Sequence, residues 1–196
     1  RDSLARGYTH PILENVKEIS QILNYDPEGV HRGIRGHKLL ATEIQQQDYE
    51  TAILFYPRLG LTFALWRAGV HRRIGTSHRW YSFLLTDRVH QSRRECLKHE
   101  VEYNLDLLEP IIQELPTEFP QFRLAIHEKT KRELQGILTA NVILGKYLVV
   151  HPGNGDSAPN LSWDQYRTLI QHISLSDIRV VLTGINSEKE FNESLR

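Results

Sequence analysis

The stretch Lys146-Tyr-Leu-Val-Val-His-Pro-Gly-Asn-Gly155 constrains this chain more than any other. A short β-branched apolar run stops abruptly at His-Pro-Gly-x-Gly. An amphipathic segment follows, in which Trp163, Tyr166, Leu169, Ile170 and Ile173 recur at helical spacing. Ile178-Arg-Val-Val-Leu-Thr-Gly184 then reads as a second buried strand ending in glycine. Strand, glycine-rich loop, helix and strand form one βαβ unit. Such units bind ligands at the carboxyl ends of their strands. Glycines let a backbone come close to a phosphate, and helix N-terminal amides can face an anion. Pro-Gly-Asn-Gly is also simply a good turn.

Upstream, the pattern alternates in the same way. Pro11 suits the first turn of a short helix over 11–19. Ile19 to Tyr25 reads as a strand stopped by Asp26-Pro27. Val30, Ile34, Leu40 and Ile44 suggest a helix. Glu50 to Tyr56 predicts a buried strand, Leu61 to Trp66 a helix closed by Gly69, and Arg73-Ile-Gly75 a minimal strand. Leu97, Val101, Leu105, Leu108 and Ile112 form a helical stripe expected to face a core. Pro110, Pro116 and Pro120 crowd its end and put a domain boundary near 115–125. Phe122 to Ile126 suggests a short strand and Glu128 to Leu138 a polar helix. Strands alternating with helices imply an α/β fold with parallel sheets.

The chain holds 24 basic and 24 acidic residues, so no global charge draws it to nucleic acid. No apolar run nears the roughly 18 residues that suggest a membrane span, and the N-terminus has no signal-peptide core. The single cysteine, Cys96, cannot form an internal disulfide, which suits a cytoplasmic location. There is no methionine, even at position 1, and the amphipathic end Ser187 to Arg196 lacks a stop signal. An internal piece of a longer protein is the expectation. Ten histidines raise the question of a metal, but His99-Glu100 lacks the second histidine of His-Glu-x-x-His, and no metal site is expected. No Gly-x-Ser-x-Gly, Walker or Gly-x-Gly-x-x-Gly motif occurs, which disfavours hydrolases, kinases and dehydrogenases.

Several motifs in one order resemble a known family. His151-Pro-Gly-x-Gly155, Ser157-Ala158-x-Asn160, Trp163, Tyr166, and Val180-Val-Leu-Thr-Gly184 followed by Glu188 look like the lipopolysaccharide heptosyltransferases, glycosyltransferase family nine. Tyr8-Thr-His-Pro-Ile-Leu-Glu14, Arg73-Ile-Gly75 and Leu85-Thr-Asp-Arg-Val89 agree. The resemblance implies two Rossmann-like domains of the GT-B type. Residues 1–120 would be an acceptor-side domain lacking its first strand. Residues 121–196 would be a linker and the start of a nucleotide-sugar-binding domain. It implies transfer of a heptose or related sugar from an ADP-sugar to the lipopolysaccharide inner core, with inversion and no cofactor or obligatory metal. The general base would lie on a loop before residue 1, so no catalytic residue is named and the chain alone is expected to be inactive. Two alternatives stay open: a non-catalytic truncated remnant, and another nucleotide-sugar enzyme of this architecture, such as an epimerase.

By the same resemblance, His151, Gly153, Asn154, Gly155, Ser157, Asn160, Thr183, Gly184 and Glu188 would adjoin the donor. Glu188 would accept hydrogen bonds from the ribose hydroxyls. As a residue read by itself, it is equally a helix N-terminal glutamate favouring the macrodipole. Ser157 and Asn160 could cap the helix near Trp163. Where many family members place a cation, there is no lysine or arginine between Lys146 and Arg167. Arg67, Arg72, Arg73, Arg79, Arg88, Arg93 and Arg94 share their stretch with one acid, Asp87, while residues 100–118 are rich in acids. Such asymmetry marks either a face paired with the acidic helix or an anionic partner. Arg58, Arg79 and Arg93 are the candidates for binding an anionic core acceptor, with peripheral contact to the inner face of the inner membrane.

Overall fold

Seven short strands, all paired in parallel, carry the architecture of the computed structural model, which describes residues 1–93, 97–115, 124–153 and 159–195. The chain divides into two compact units, Arg1–Ala125 and Ile126–Arg196.

In the first unit, β1 (Asp2–Ala5) pairs with β2 (Gln21–Asn24) across the short helix α1 (His10–Leu13). β3 (Thr51–Ile53), β4 (Arg72–Thr76) and β5 (Asp87–Val89) form a second sheet in that order. β1 had no counterpart among the sequence expectations: four residues with one large apolar side chain give too little pattern. α1 is also shorter than the 11–19 expected.

α2 (Gly33–Gln45) buries Leu40, Ala41 and Ile44, one stripe at helical spacing. It packs on α3 (Leu59–Arg67), which buries Ala64 and Leu65. Gly69 ends α3 at φ +78°, a left-handed conformation that glycine adopts without steric penalty. With Tyr25, Leu54, Val70 and Leu85 these side chains make the main core, against which Leu4 of β1 packs. A smaller cluster joins Ile74, Val89 and Leu107.

The stripe expected over 97–112 is corrected. The helix there, α4 (Glu100–Asp106), is short, and its buried residues are Tyr103 and Asp106. Leu97 is 78% exposed, and Val101 is exposed too. The capping box sets the helix phase: His99 Nδ1 accepts from Val101 N at 3.2 Å, and Glu102 accepts from His99 N at 2.6 Å. Lys98 then neutralises the inward Asp106 at 2.8 Å. Arg94, Cys96, Pro116, Pro120, Phe122 and the first part of the strand expected at 122–126 lie outside the described residues; Leu124–Ile126 has no regular structure.

The second unit holds α5 (Glu128–Ala140), β6 (Tyr147–Val150), α6 (Trp163–Ser174), β7 (Arg179–Leu182) and α7 (Lys189–Ser194). β6 and β7 pair in parallel, Val150 opposite Leu182, as the βαβ reading requires. The burial expected of these strands is not met: Tyr147, Leu148 and Val149 are 40–52% exposed. A two-stranded sheet carries too little structure to cover both faces of parallel strands. Ser162 caps α6, with Gln165 N donating to its Oγ at 3.3 Å and Gln165 Oε1 accepting from Ser162 N at 2.7 Å. The capping role suggested for Ser157 and Asn160 therefore belongs to Ser162.

Candidate functional site

The carboxyl ends of β6 and β7 lie side by side, because parallel pairing brings both to one edge. His151 leaves β6 and Thr183 leaves β7. His151 Nδ1 and Thr183 Oγ1 are 3.0 Å apart, so one hydrogen bond ties the two loops together. Pro152 follows, fully buried. Its carbonyl accepts from Asn160 Nδ2 at 2.6 Å and from the Tyr166 hydroxyl at 3.3 Å. The Tyr166 hydroxyl also lies 2.6 Å from Asn160 Oδ1. Asn160 thus ties Pro152 to Tyr166 of α6.

Glu188 reaches this edge from the turn before α7. Its Oε2 accepts from Ile185 N at 2.9 Å. Its carboxylate packs against both glycine loops. A β-carbon on Gly153 would lie 1.9 Å from Glu188 Oε1, and one on Gly184 would lie 2.7 Å from Oε2. Two glycines are what make room for this carboxylate. Oε1 accepts no hydrogen bond from the described residues, and a carboxylate oxygen is an acceptor. Asn192 Nδ2 donates to Thr183 O at 3.3 Å and steadies the loop after β7. His151, Gly153, Thr183, Gly184 and Glu188 are therefore brought together, with Asn160 behind them. Asn154, Gly155 and Ser157 lie outside the described residues. Asn192 escaped sequence analysis; its position eight residues beyond Gly184, one turn into α7, is the signal that could have found it.

In the first unit, Arg58 and Arg79 stand just beyond β3 and β4, in the extended residues that open α3 and the 3-10 turn Trp80–Leu84. The Arg58 guanidinium lies 5.3 Å from the Tyr56 ring centre. The Tyr81 hydroxyl donates to Pro57 O at 2.8 Å and joins the two strand ends. Burial raises the Tyr81 pKa, and the positive charges of Arg79 and Arg58 oppose that rise. Burial raises Tyr25 likewise, opposed by Arg58 and Arg6. Arg6, just after β1, belongs to the same neighbourhood and pairs with Glu28; like β1, it stands in a segment without a periodic signal in the sequence.

The structure sorts the arginine-rich stretch. Arg72 holds Asp87 at 3.1 Å and keeps its carboxyl below the usual carboxylate range. Arg73 turns inward to the carbonyls of Leu84, at 2.8 Å, and Val70, and burial lowers its pKa. Arg93 donates to Glu100 at 2.9 Å, Gln91 at 2.6 Å and Asn104 at 3.0 Å, and lies over the Tyr103 ring. Its fork is engaged by α4 and its surroundings. Arg58, Arg67, Arg79 and Arg88 are exposed, with no ion-pair partner among the described residues. No group of three or more metal-ligating side chains occurs among the described residues. None of their helices is long and apolar enough to cross a membrane.

The sequence model of glycosyltransferase family 9 (heptosyltransferase) matches residues 38–196. A Haemophilus influenzae protein, provisionally named a glycosyltransferase, is 34% identical over 160 residues, covering 78% of this chain and 46% of that protein. A family 9 glycosyl transferase from Veillonella parvula superposes with TM-score 0.78 at 15% identity, over 98% of this chain and 56% of that one. Escherichia coli ADP-heptose lipopolysaccharide heptosyltransferase II superposes with TM-score 0.67 at 16% identity, over 99% and 58%. The chain spans about half the length of these relatives. The fold is the GT-B-like α/β fold of these glycosyltransferases, and the chain belongs to glycosyltransferase family 9, the heptosyltransferase family.

Proposed function

We propose that the protein to which this chain belongs transfers a heptose, or a related sugar, from an ADP-sugar to the inner core of lipopolysaccharide. Residues 121–196 hold the nucleotide-sugar and residues 1–120 the acceptor. The observation that carries the reading is Glu188: a half-buried carboxylate packed against Gly153 and Gly184 at the ends of two parallel strands, one oxygen tied to Ile185 N and the other without a donor among the described residues. Such an oxygen suits the ribose hydroxyls, and strand ends with glycine loops suit a diphosphate.

In the reaction, the acceptor hydroxyl oxygen bonds to the anomeric carbon as the bond to the diphosphate oxygen breaks. The nucleoside diphosphate leaves with the electron pair, and the hydroxyl proton passes to a base that we do not assign within residues 1–196. Positioning and leaving-group stabilisation supply the rest. No cofactor is required. Arg58 and Arg79 meet the anionic groups of the acceptor, at the inner face of the membrane where such a lipid is built.

Isothermal titration of the chain with ADP-, UDP- and GDP-sugars, combined with amide shift mapping, tests the donor half. Saturable binding that prefers ADP and perturbs Thr183, Gly184 and Glu188 is expected. Absence of nucleotide binding, or shifts confined to the first unit, overturns it.

A further inference from the structure

We infer that the 3-10 turn Trp80–Leu84 is a membrane wedge: Trp80 and Phe83 enter the headgroup boundary of an anionic bilayer while Arg79 and Arg58 hold lipid phosphates. The inference rests on the reading of the first unit as the acceptor side and names the surface it docks on.

The geometry follows from the turn type. A 3-10 turn has three residues per turn, so side chains at i and i+3 share one edge. Trp80 and Phe83 share that edge, 74% and 61% exposed, with ring centres 6.4 Å apart. The intervening residues face inward: Tyr81 and Ser82 are buried, and Leu85 just beyond the turn is buried in the main core. Ser82 Oγ donates to Ser77 O at 3.2 Å, Leu85 N to Ser82 O at 2.9 Å, and the Tyr81 hydroxyl to Pro57 O at 2.8 Å. The two rings are thus held out by a fixed backbone. Scattered exposed apolar residues are ordinary, but adjoining ones that form a patch mark an interaction surface. Tyr56, 68% exposed, lies against the Arg58 guanidinium.

Charge selects the occupant. Between Glu50 and Asp87 the chain has no acidic residue at all. Asp87 is itself taken by Arg72. Arg58 and Arg79 therefore flank the aromatic edge without a counter-ion among the described residues. Large aromatic rings beside such arginines match the boundary of an anionic membrane, where rings sit at headgroup depth and guanidinium forks bind phosphate.

The test uses Trp80 as its own reporter. The chain has three tryptophans, so Trp66→Phe with Trp163→Phe leaves Trp80 alone. Vesicles of phosphatidylcholine, with or without phosphatidylglycerol, are added, and acyl-brominated lipid serves as quencher. Expected are a blue shift and quenching of Trp80 with the anionic vesicles. Trp80→Ala with Phe83→Ala should weaken vesicle binding about tenfold or more, given the apolar area two rings withdraw from water. Trp80→Phe should retain most of it, and circular dichroism should show each variant folded. Unchanged Trp80 emission, equal affinity for neutral and anionic vesicles, or full binding by the double alanine variant overturns the wedge. ADP-sugar titration of the same proteins separates the readings: a lost wedge leaves donor binding intact, whereas a failed donor site leaves vesicle binding intact.

Discussion

The carboxylate of Glu188 occupies the space a side chain on Gly153 would need, with Oε1 1.9 Å from the place of a β-carbon. The two residues lie on loops after different strands, and each limits the other. Gly153→Ala should push the carboxylate off this edge. ADP-sugar affinity should fall as far as it does in Glu188→Ala, and the double variant should be no worse than either single one. Additive losses in the titration would show that Gly153 acts on the donor independently of Glu188.

Glu188→Gln keeps the shape and removes the charge. Binding of an ADP-sugar should weaken by about 1–3 kcal/mol, the scale of a hydrogen bond to a charged group. An analogue without ribose hydroxyls should lose much less. Equal losses for both would reduce Glu188 to the cap of Ile185 N.

Arg79 and Arg93 should separate cleanly. Arg93 is engaged by Glu100, Gln91 and Asn104, so Arg93→Gln should lower the unfolding midpoint, at a cost of about 1–2 kcal/mol. Arg79→Gln should leave the midpoint within error and remove a salt-sensitive part of the binding to anionic vesicles. Thermal melts with vesicle sedimentation at rising ionic strength would decide; a destabilised Arg79→Gln with unchanged vesicle binding would reverse the assignment.

Tyr49 predicts an alkaline limit. Burial, and then the hydrogen bond it donates to Asp2 Oδ2 at 2.6 Å, push its pKa up to about 12. In the unfolded chain the value is about 10. The folded state holds this proton more tightly, so the stabilisation is complete below pH ~10 and is lost as pH rises from ~10 to ~12. Tyr49→Phe should flatten the fall in urea midpoint across that window. An identical slope in both proteins would mean that Tyr49 does not link β1 to the chain entering β3.

Much of this protein is legible in the order of its amino acids. The βαβ unit around His151–Gly155, the helices α2, α3, α5 and α6, and the parallel pairing follow from local periodicity and from breakers that act within a few residues. Membership of the family follows from motifs in a given order, which needs no contacts either. The sequence alone did not determine which face of a segment meets a core, or which charge meets which. Leu97 and Val101 look like core residues until capping at His99 turns Tyr103 and Asp106 inward. Arg58, Arg79 and Arg93 are alike as letters, yet the fold leaves two exposed at strand ends and engages the third with Glu100 and Asn104. Glu188 and Gly153 meet although 35 residues separate them in sequence, because parallel strands bring distant loops to one edge. Periodicity is a local property that neighbouring residues encode; burial and pairing are properties of surfaces that exist only once the chain has folded.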